Sequence, residues 1–243
     1  MTMDKPLESV LGDDWDRDAF MVQFKKKQVQ DLLITQITKL VRAKDIDGAL
    51  ELVKEAKEAA GDDLRAVAAM VRMEAQILMM PIREKLQSDE TAEEGQAELM
   101  ELVKNSPDDS AAQIRTMAVS LLMSMKKTDV AAVLLNEIAA LEKITANDLN
   151  ALAWNIYLQS QRDRNFSEEV LKGALAIAEK AVATEPQNSM IIDTLAHLAH
   201  RTGDLDRALE LQTKAVEEPG EGITVNDEMK AFLEQLKKEK AGE

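Results

Sequence analysis

The chain of 243 residues contains no cysteine, so disulfide bonds, thiol chemistry and cysteine-ligated zinc are excluded within it. Aromatic residues make up only 3% of the chain, and there are 9 glycines and 5 prolines. No stretch is rich in the β-branched and aromatic residues that favour strands. The apolar residues are mainly alanine, leucine, valine and methionine, most of which are strong helix formers. These features predict an all-α fold.

Basic residues are outnumbered by acidic ones, 30 to 45, which gives a formal net charge of -15. No segment concentrates lysine and arginine as phosphate binding requires, so we expect no nucleic-acid partner. The acidity favours solubility, and a cationic partner is the alternative. No stretch approaches the roughly 18 apolar residues that span a bilayer, so no membrane span is expected.

Two similar segments indicate an internal repeat, KDIDGALELVKEAKEAAGDD at 44–63 and GDLDRALELQTKAVEEPG at 203–220. In both, a turn leads through an apolar residue and Asp to Ala-Leu-Glu-Leu, and a second Ala follows seven residues after the first. Related helix pairs occur at 113–143 and at 147–188, the latter with an insertion between its helices. Another pair begins at 65–80, where Pro81 is expected to kink or end the helix. A repeat of helix pairs predicts an array in which each pair buries the apolar face of the next.

This pattern resembles the tetratricopeptide repeat (TPR), a helical hairpin with a period of 34 residues. The resemblance covers roughly residues 29–219 and is strongest in the last two repeats. In the last repeat it is carried by Ile192, Leu195, Ala196 and Ala199 on the first helix, Gly203 in the turn, Ala208 and Ala215 on the second helix, and Pro219. The resemblance implies a right-handed α-solenoid of TPR-like hairpins that binds a protein or peptide in its concave groove.

The chain is expected to divide into an N-terminal segment at 1–20, TPR-like repeats at 21–223 and a C-terminal capping helix at 224–243. The apolar face of that last helix is predicted to be formed by Met229, Phe232, Leu233 and Leu236. Small residues at Ala153, Ala196, Ala208 and Ala215 are expected to let neighbouring helices approach closely.

The first 20 residues, MTMDKPLESVLGDDWDRDAF, lack the basic start and apolar run of a signal peptide. Together with LNALAW at 149–154 and the segment 193–216, they resemble the C-terminal region of bacterial thioredoxin-like proteins of the TlpA/ResA type found in planctomycetes. The resemblance implies that the chain is the helical arm of such a protein, with 1–20 as the end of a thioredoxin-like domain. The alternative is part of a thiol-disulfide oxidoreductase whose active CxxC domain is absent from this chain. A free-standing protein would be cytoplasmic, and an exported thioredoxin-like protein periplasmic.

Six residues are predicted to face the groove and contact a peptide. They are Asn150, Trp154 and Tyr157 on one helix, and Asp193, His197 and Arg201 on the next. Tyrosine and tryptophan are enriched at interfaces, and these are the only Tyr and one of the two Trp residues of the chain. Core packing of the aromatic residues is the alternative.

His197 and His200 are the only histidines, and they lie three residues apart on one helix. A zinc site would need a third ligand, for which Asp193 is the candidate. Variable groove positions of a repeat explain the two histidines more simply. We therefore predict no catalytic residue, no metal and no cofactor, and leave the oligomeric state open.

Overall fold

The computed structural model describes residues 17–106, 110–163, 165–220 and 224–242, and these residues form eleven α-helices and no strand. In chain order the helices are α1 (Arg17–Arg42), α2 (Ile46–Ala60), α3 (Leu64–Leu86), α4 (Ala92–Asn105), α5 (Ala111–Ser124), α6 (Thr128–Ala140), α7 (Ala146–Ser160), α8 (Glu168–Thr184), α9 (Ser189–Arg201), α10 (Leu205–Glu217) and α11 (Asp227–Ala241). The predicted all-α class is confirmed. Among the described helices, none combines the length and apolar character that crossing a bilayer requires. Residues 1–16, which carry most of the predicted N-terminal segment, lie outside the described residues.

The helices fall into two compact units, residues 1–95 and 96–243. In the first unit α1 packs on α2, and α2 packs on α3. The core of this unit is formed by small and medium apolar side chains of all three helices, namely Ile37, Ala49, Val53, Ala56, Met70 and Ile77. The two alanines that mark the repeat in the sequence, Ala49 and Ala56, are therefore buried contact points between helices.

Pro81 was expected to kink or end the helix; helix α3 continues through it to Leu86, so it does not end there. Proline inside a helix removes one backbone hydrogen bond and costs about 3 kcal/mol. Beyond it, Ile82 and Leu86 are buried. Burial of such side chains stabilises by about 1.5–3 kcal/mol each, which offsets the cost of the proline.

The second unit consists of hairpins that stack in tandem. Helices α5 and α6, α7 and α8, and α9 and α10 pack as pairs, and α9 also contacts both α7 and α8. Such stacking of each hairpin on its neighbour is that of an α-solenoid. Ala153, Ala196, Ala208 and Ala215 are all fully buried, which confirms the expected close approach of the helices.

Three hairpins, α1–α2, α5–α6 and α9–α10, share one turn. The second residue after the first helix has a left-handed backbone, with φ of 60° at Lys44, 59° at Lys126 and 89° at Gly203. The next N–H bonds a carbonyl five residues back, in the pairs Asp45 to Leu40, Lys127 to Leu122 and Asp204 to Ala199. This is the Schellman arrangement, which satisfies the free carbonyls at a helix end. The repeated turn sets the same reversal of direction in each hairpin.

The predicted capping helix is α11, and its four predicted apolar residues, Met229, Phe232, Leu233 and Leu236, are buried. Helix α11 packs on α10. Its start is fixed by Asn226, whose side chain accepts a hydrogen bond from the backbone N–H of Met229. Helix α11 covers the apolar side of the α9–α10 hairpin, and its role as the cap of the array stays a prediction.

Candidate protein-binding site

An aromatic cluster connects α7, α9 and α11 in the second unit. His197 of α9 lies in its centre, with ring centroids 5.3 Å from Trp154 and 4.8 Å from Tyr157 of α7. On its other side, His197 stacks on Phe232 of α11 at 3.7 Å with an interplanar angle of 11°. Such pairs stabilise by about 0.5–1.5 kcal/mol beyond their area burial. The cluster therefore fixes the three helices relative to one another.

A pocket of about 610 Å³ opens beside this cluster. Three helices line it, with Tyr157 and Gln161 at the end of α7, His197, His200 and Arg201 on α9, and Glu228, Ala231, Phe232 and Gln235 on α11. Its floor is formed by the more buried rings of Tyr157, His197 and Phe232, and exposed polar side chains such as Gln161 and Gln235 form its rim. None of these lining residues is a serine, threonine or cysteine, so the pocket offers no nucleophile of those types.

Asp193 lies one helical turn before His197 and is bound from within the protein. Its Oδ1 accepts a hydrogen bond of 2.7 Å from the amide of Gln212, and the same amide group donates to the carbonyl of Met229 at 2.9 Å. Burial raises the pKa of Asp193 from its ordinary value of 3.8 to about 6, and the nearby charge of Glu228 adds to the rise, while the bond from Gln212 opposes it. Asp193 thus ties α9 to α10 and, through Gln212, to α11.

Burial also lowers the pKa of His197, from 6.5 to about 4, and His200 adds to this effect. The Nε2 of His197 lies 3.8 Å from Oδ2 of Asp193, and both side chains are only 15% exposed. Above about pH 6 the aspartate is charged but the histidine is neutral, and below about pH 4 the reverse holds. The contact is therefore not an ion pair in either range.

Arg201 lines the pocket, but part of its guanidinium is used within the fold. Its Nη2 donates to the carbonyl of Ser160 at 3.2 Å and to that of Asp163 at 3.5 Å. These carbonyls belong to the end of α7 and to the connection that carries the predicted insertion. Arg201 thus holds the longer α7–α8 connection in place while it also lines the pocket.

Tyr157, His197 and Arg201 are therefore the predicted groove residues that the structure brings together at the pocket. Trp154 supports this wall through its contacts with the other two rings, 5.0 Å from Tyr157. Asn150 lies nearer the start of α7 and is half-buried, and its Oδ1 is a buried oxygen for which the described residues provide no hydrogen-bond partner. Contact of the six predicted groove residues with a peptide stays a prediction.

The two histidines have different partners. Nε2 of His200 lies 2.7 Å from Oε2 of Glu239 on α11, whereas His197 stacks on Phe232. Within the described part of the chain, no three histidine, aspartate or glutamate side chains are grouped as metal ligands. Both histidines contact α11, and their interpretation as variable groove positions of a repeat stays a prediction.

Sequence reasoning missed the roles of Phe232 and Gln212 in this site. Phe232 was expected only on the apolar face of α11, and its stacking on His197 depends on how α11 lies against α9. Gln212 is fully buried although glutamine is mostly exposed in proteins. Its place between two alanines of the repeat, Ala208 and Ala215, was the one signal that its position faces inward.

Comparisons with known proteins give a weak likeness to helical proteins and no family. No family model matches the chain, and no curated protein matches it. Among solved structures, BtubC from P. vanneervenii is 18% identical over 86% of this chain and 84% of its own, with a TM-score of 0.44. MamA from Desulfovibrio magneticus RS-1 is 16% identical over 77% of this chain and 93% of its own, with a TM-score of 0.38. A tetratricopeptide repeat protein from Parabacteroides merdae is 14% identical over 88% of each chain, with a TM-score of 0.26. At these scores the likenesses add nothing to the architecture, which follows from the chain's own helical hairpins.

Proposed function

We propose that this chain is a non-catalytic, protein-binding module of TPR-like helical hairpins, and that it takes a peptide in the pocket between α7, α9 and α11. The observation that carries the proposal is the pocket itself, which has an aromatic floor of Tyr157, His197 and Phe232. Arrays of helical hairpins create extended surfaces for binding partners. Aromatic residues and arginine dominate the energetics of protein interfaces.

Charged and polar groups of the rim favour a peptide over a purely apolar ligand. Gln161 and Gln235 provide amide groups, Glu228 a carboxylate and Arg201 a guanidinium. These side chains provide both donors and acceptors for the backbone groups of a bound peptide. Asp193 does not line the pocket but supports its floor, since its Oδ1 accepts a hydrogen bond from Gln212 of α10.

Filling the pocket is the direct test. Ala231 is exposed on the pocket wall of α11, so Ala231→Trp places an indole in the pocket without disturbing the core. Ala241 is exposed on the same helix and does not line the pocket, which makes Ala241→Trp the matched control. Peptides are selected from a random peptide display library on the unmodified chain, and their affinities for both variants are measured by fluorescence anisotropy.

The selected peptides are expected to bind the Ala241→Trp variant as well as the unmodified chain. For the Ala231→Trp variant we expect at least a tenfold loss of affinity, about 1.4 kcal/mol. Circular dichroism checks that both variants keep the helical content of the unmodified chain. Equal affinity of the two variants would show that peptides bind elsewhere and would overturn the proposal.

The attachment to a thioredoxin-like protein is a finer proposal, and it is supported only by the sequence segments 1–20, 149–154 and 193–216. Its alternative, a part of a thiol-disulfide oxidoreductase, rests on the same segments. An antibody against the last repeat, used on cells of the source organism, measures the mass of the native product. A mass near the 26.9 kDa of this chain would count against both, and a clearly heavier product would support them.

A further inference from the structure

The pocket between α7, α9 and α11 has two distinct ends, because these three helices run parallel. Arg201 at the end of α9 donates to a carbonyl at the end of α7, and His200 contacts Glu239 near the end of α11. Asp193 near the start of α9 lies close enough to Glu228 at the start of α11 for their charges to interact. One end of the pocket is therefore formed at the helix starts and the other at the helix ends.

The two ends carry opposite charges. Glu228 lines the pocket at the helix starts, with Asp193 beside it, and we call this the acidic end. Arg201 lines the pocket at the helix ends, about 12 Å from Asp193 along the axis of α9. Charges are screened beyond about 8 Å at physiological ionic strength, so the guanidinium does not cancel the negative charge of the acidic end.

The carboxylates of the acidic end have no lysine or arginine partner among the described residues. Glu228 forms no ion pair there. Lys230 lies two residues later on another side of α11, where its Nζ is 3.6 Å from Oδ1 of Asp227. Oδ1 of Asp193 is bonded to Gln212, and its Oδ2 accepts no hydrogen bond from the described residues. The acidic end therefore holds negative charge that the described part of the protein does not neutralise.

Oxygen acceptors without donors also surround this end. Gln212 is fully buried, and its Oε1 has no hydrogen-bond partner among the described residues. Asn150, whose buried Oδ1 is likewise without a partner, lies one helical turn before Trp154, just as Asp193 lies one turn before His197. An excess of acceptors favours a ligand that donates hydrogen bonds. The lysine ammonium offers three donors and the arginine guanidinium five, and neither has an acceptor.

The floor of the pocket suits the same kind of ligand. Tyr157 and Phe232 line it, and aromatic rings attract a cation that lies over the ring face. Lysine and arginine also bury their apolar stems along such surfaces while the charged group stays polar. Burial lowers the pKa of His197 to about 4, so the third ring of the floor is uncharged at neutral pH and does not repel a cation.

We propose that the peptide taken by this pocket carries a lysine or arginine whose charged group binds at Glu228, with its stem on the rings of Tyr157 and Phe232. The proposal rests on the proposed function, since it names the chemistry of the peptide in the same pocket. The net charge of -15 attracts basic peptides from a distance as well. An acidic peptide at Arg201 is the competing ligand, but that guanidinium already donates to two backbone carbonyls.

Two matched variants of α11 test the proposal. Glu228→Gln removes the charge of the acidic end and keeps the size of the side chain. Asp227→Asn makes the same change of net charge in the same helical turn, at a fully exposed residue that does not line the pocket. The probes are the peptides selected on the unmodified chain. In each, every lysine is replaced in turn by norleucine and every arginine by citrulline, and affinities for the three proteins are measured by fluorescence anisotropy.

One basic residue of the peptide is expected to account for the binding at the acidic end. Its neutral replacement should weaken binding to the unmodified chain and to the Asp227→Asn variant by about tenfold, and binding to the Glu228→Gln variant by less than about twofold. Equal losses in Glu228→Gln and Asp227→Asn would overturn the proposal, as would selected peptides without a basic residue. The proposed function survives both outcomes if Ala231→Trp still blocks binding. Peptides that bind Ala231→Trp and Ala241→Trp equally, or a selection that yields no peptide, would overturn both proposals.

Discussion

Replacing Asp193 by asparagine should stabilise the second unit at neutral pH. The carboxylate is 15% exposed, and its burial raises its pKa from 3.8 to about 6. In the folded chain the proton is therefore held up to about pH 6, whereas the unfolded chain releases it near pH 4. Asp193 makes the folded state less stable as the pH rises from about 4 to about 6. At about 1.4 kcal/mol for each pKa unit, the cost at pH 7 is about 3 kcal/mol.

His197 acts in the opposite direction over nearly the same range. Its pKa is about 4 in the folded chain and 6.5 when unfolded, so the unfolded chain gains a proton first as the pH falls. The histidine therefore makes the folded state more stable as the pH rises from about 4 to about 6.5. The two slopes nearly cancel in the unmodified chain, so this pair contributes little to any change of its stability between pH 4 and pH 6.

Asp193→Asn keeps an oxygen that accepts the hydrogen bond from Gln212 but removes the titrating charge. The stability of this variant should rise by about 2 kcal/mol between pH 4 and pH 6, because only the slope of His197 remains. His197→Phe removes the other slope, so its stability should fall by a similar amount over the same interval. Opposite slopes of the two variants are the expected signature.

Urea unfolding at pH 4, 5, 6 and 7 measures these slopes. Trp154 lies 5.3 Å from His197, so its fluorescence reports on this part of the chain when the only other tryptophan, Trp15, is replaced by phenylalanine. Parallel pH profiles of the Asp193→Asn variant and the unmodified chain would refute the reasoning, since burial would then not raise the pKa of Asp193.

Three further variants test separate contacts by thermal and urea unfolding. Pro81→Ala should stabilise the first unit by about 1–3 kcal/mol, because it restores a helical N–H at an exposed position; an unchanged midpoint would contradict this. Gly173→Ala should destabilise the second unit by about 1–3 kcal/mol, because the added methyl carbon would lie 2.8 Å from Cβ of Leu135. A neutral effect would show that α6 and α8 can move apart. Phe232→Ala should lower the free energy of unfolding by about 3–5 kcal/mol. It should also return the pKa of His197 toward 6.5, which NMR titration of the histidines measures. An unmoved pKa would mean that α11 does not bury the His197 ring.

The hairpins were predictable because their signals are local. Asp45 and Asp204 each accept a hydrogen bond from a backbone N–H three residues later, at Gly48 and Arg207, and thereby start a helix. The alanines and the Leu-Glu-Leu motif that follow repeat at the spacing of a buried helical face. Pro81 shows the limit of local reasoning, because buried side chains beyond it decide that the helix continues.

The site was only partly predictable because it depends on contacts between distant segments. The helical period predicted that Tyr157, His197 and Arg201 share one surface, and all three line the pocket. It did not show that Phe232, 35 positions after His197, would stack on that ring. Nor did it show that Arg201 would bond the carbonyls at the end of α7, since a helical period carries no information on the neighbouring loop.

The shared turn also has a consequence for the kinetics of folding. Each turn closes a hairpin over only a few residues, so the loop-closure entropy is small and helix pairs can form early. Two of the three turns end in a capping aspartate, Asp45 and Asp204, but the third has Lys127 there, and its side chain makes no capping bond. The first turn of α6 should therefore open more often than those of α2 and α10, and its amide protons should exchange first. The capping residue at each turn thus determines how readily that hairpin opens while the rest of the array stays folded.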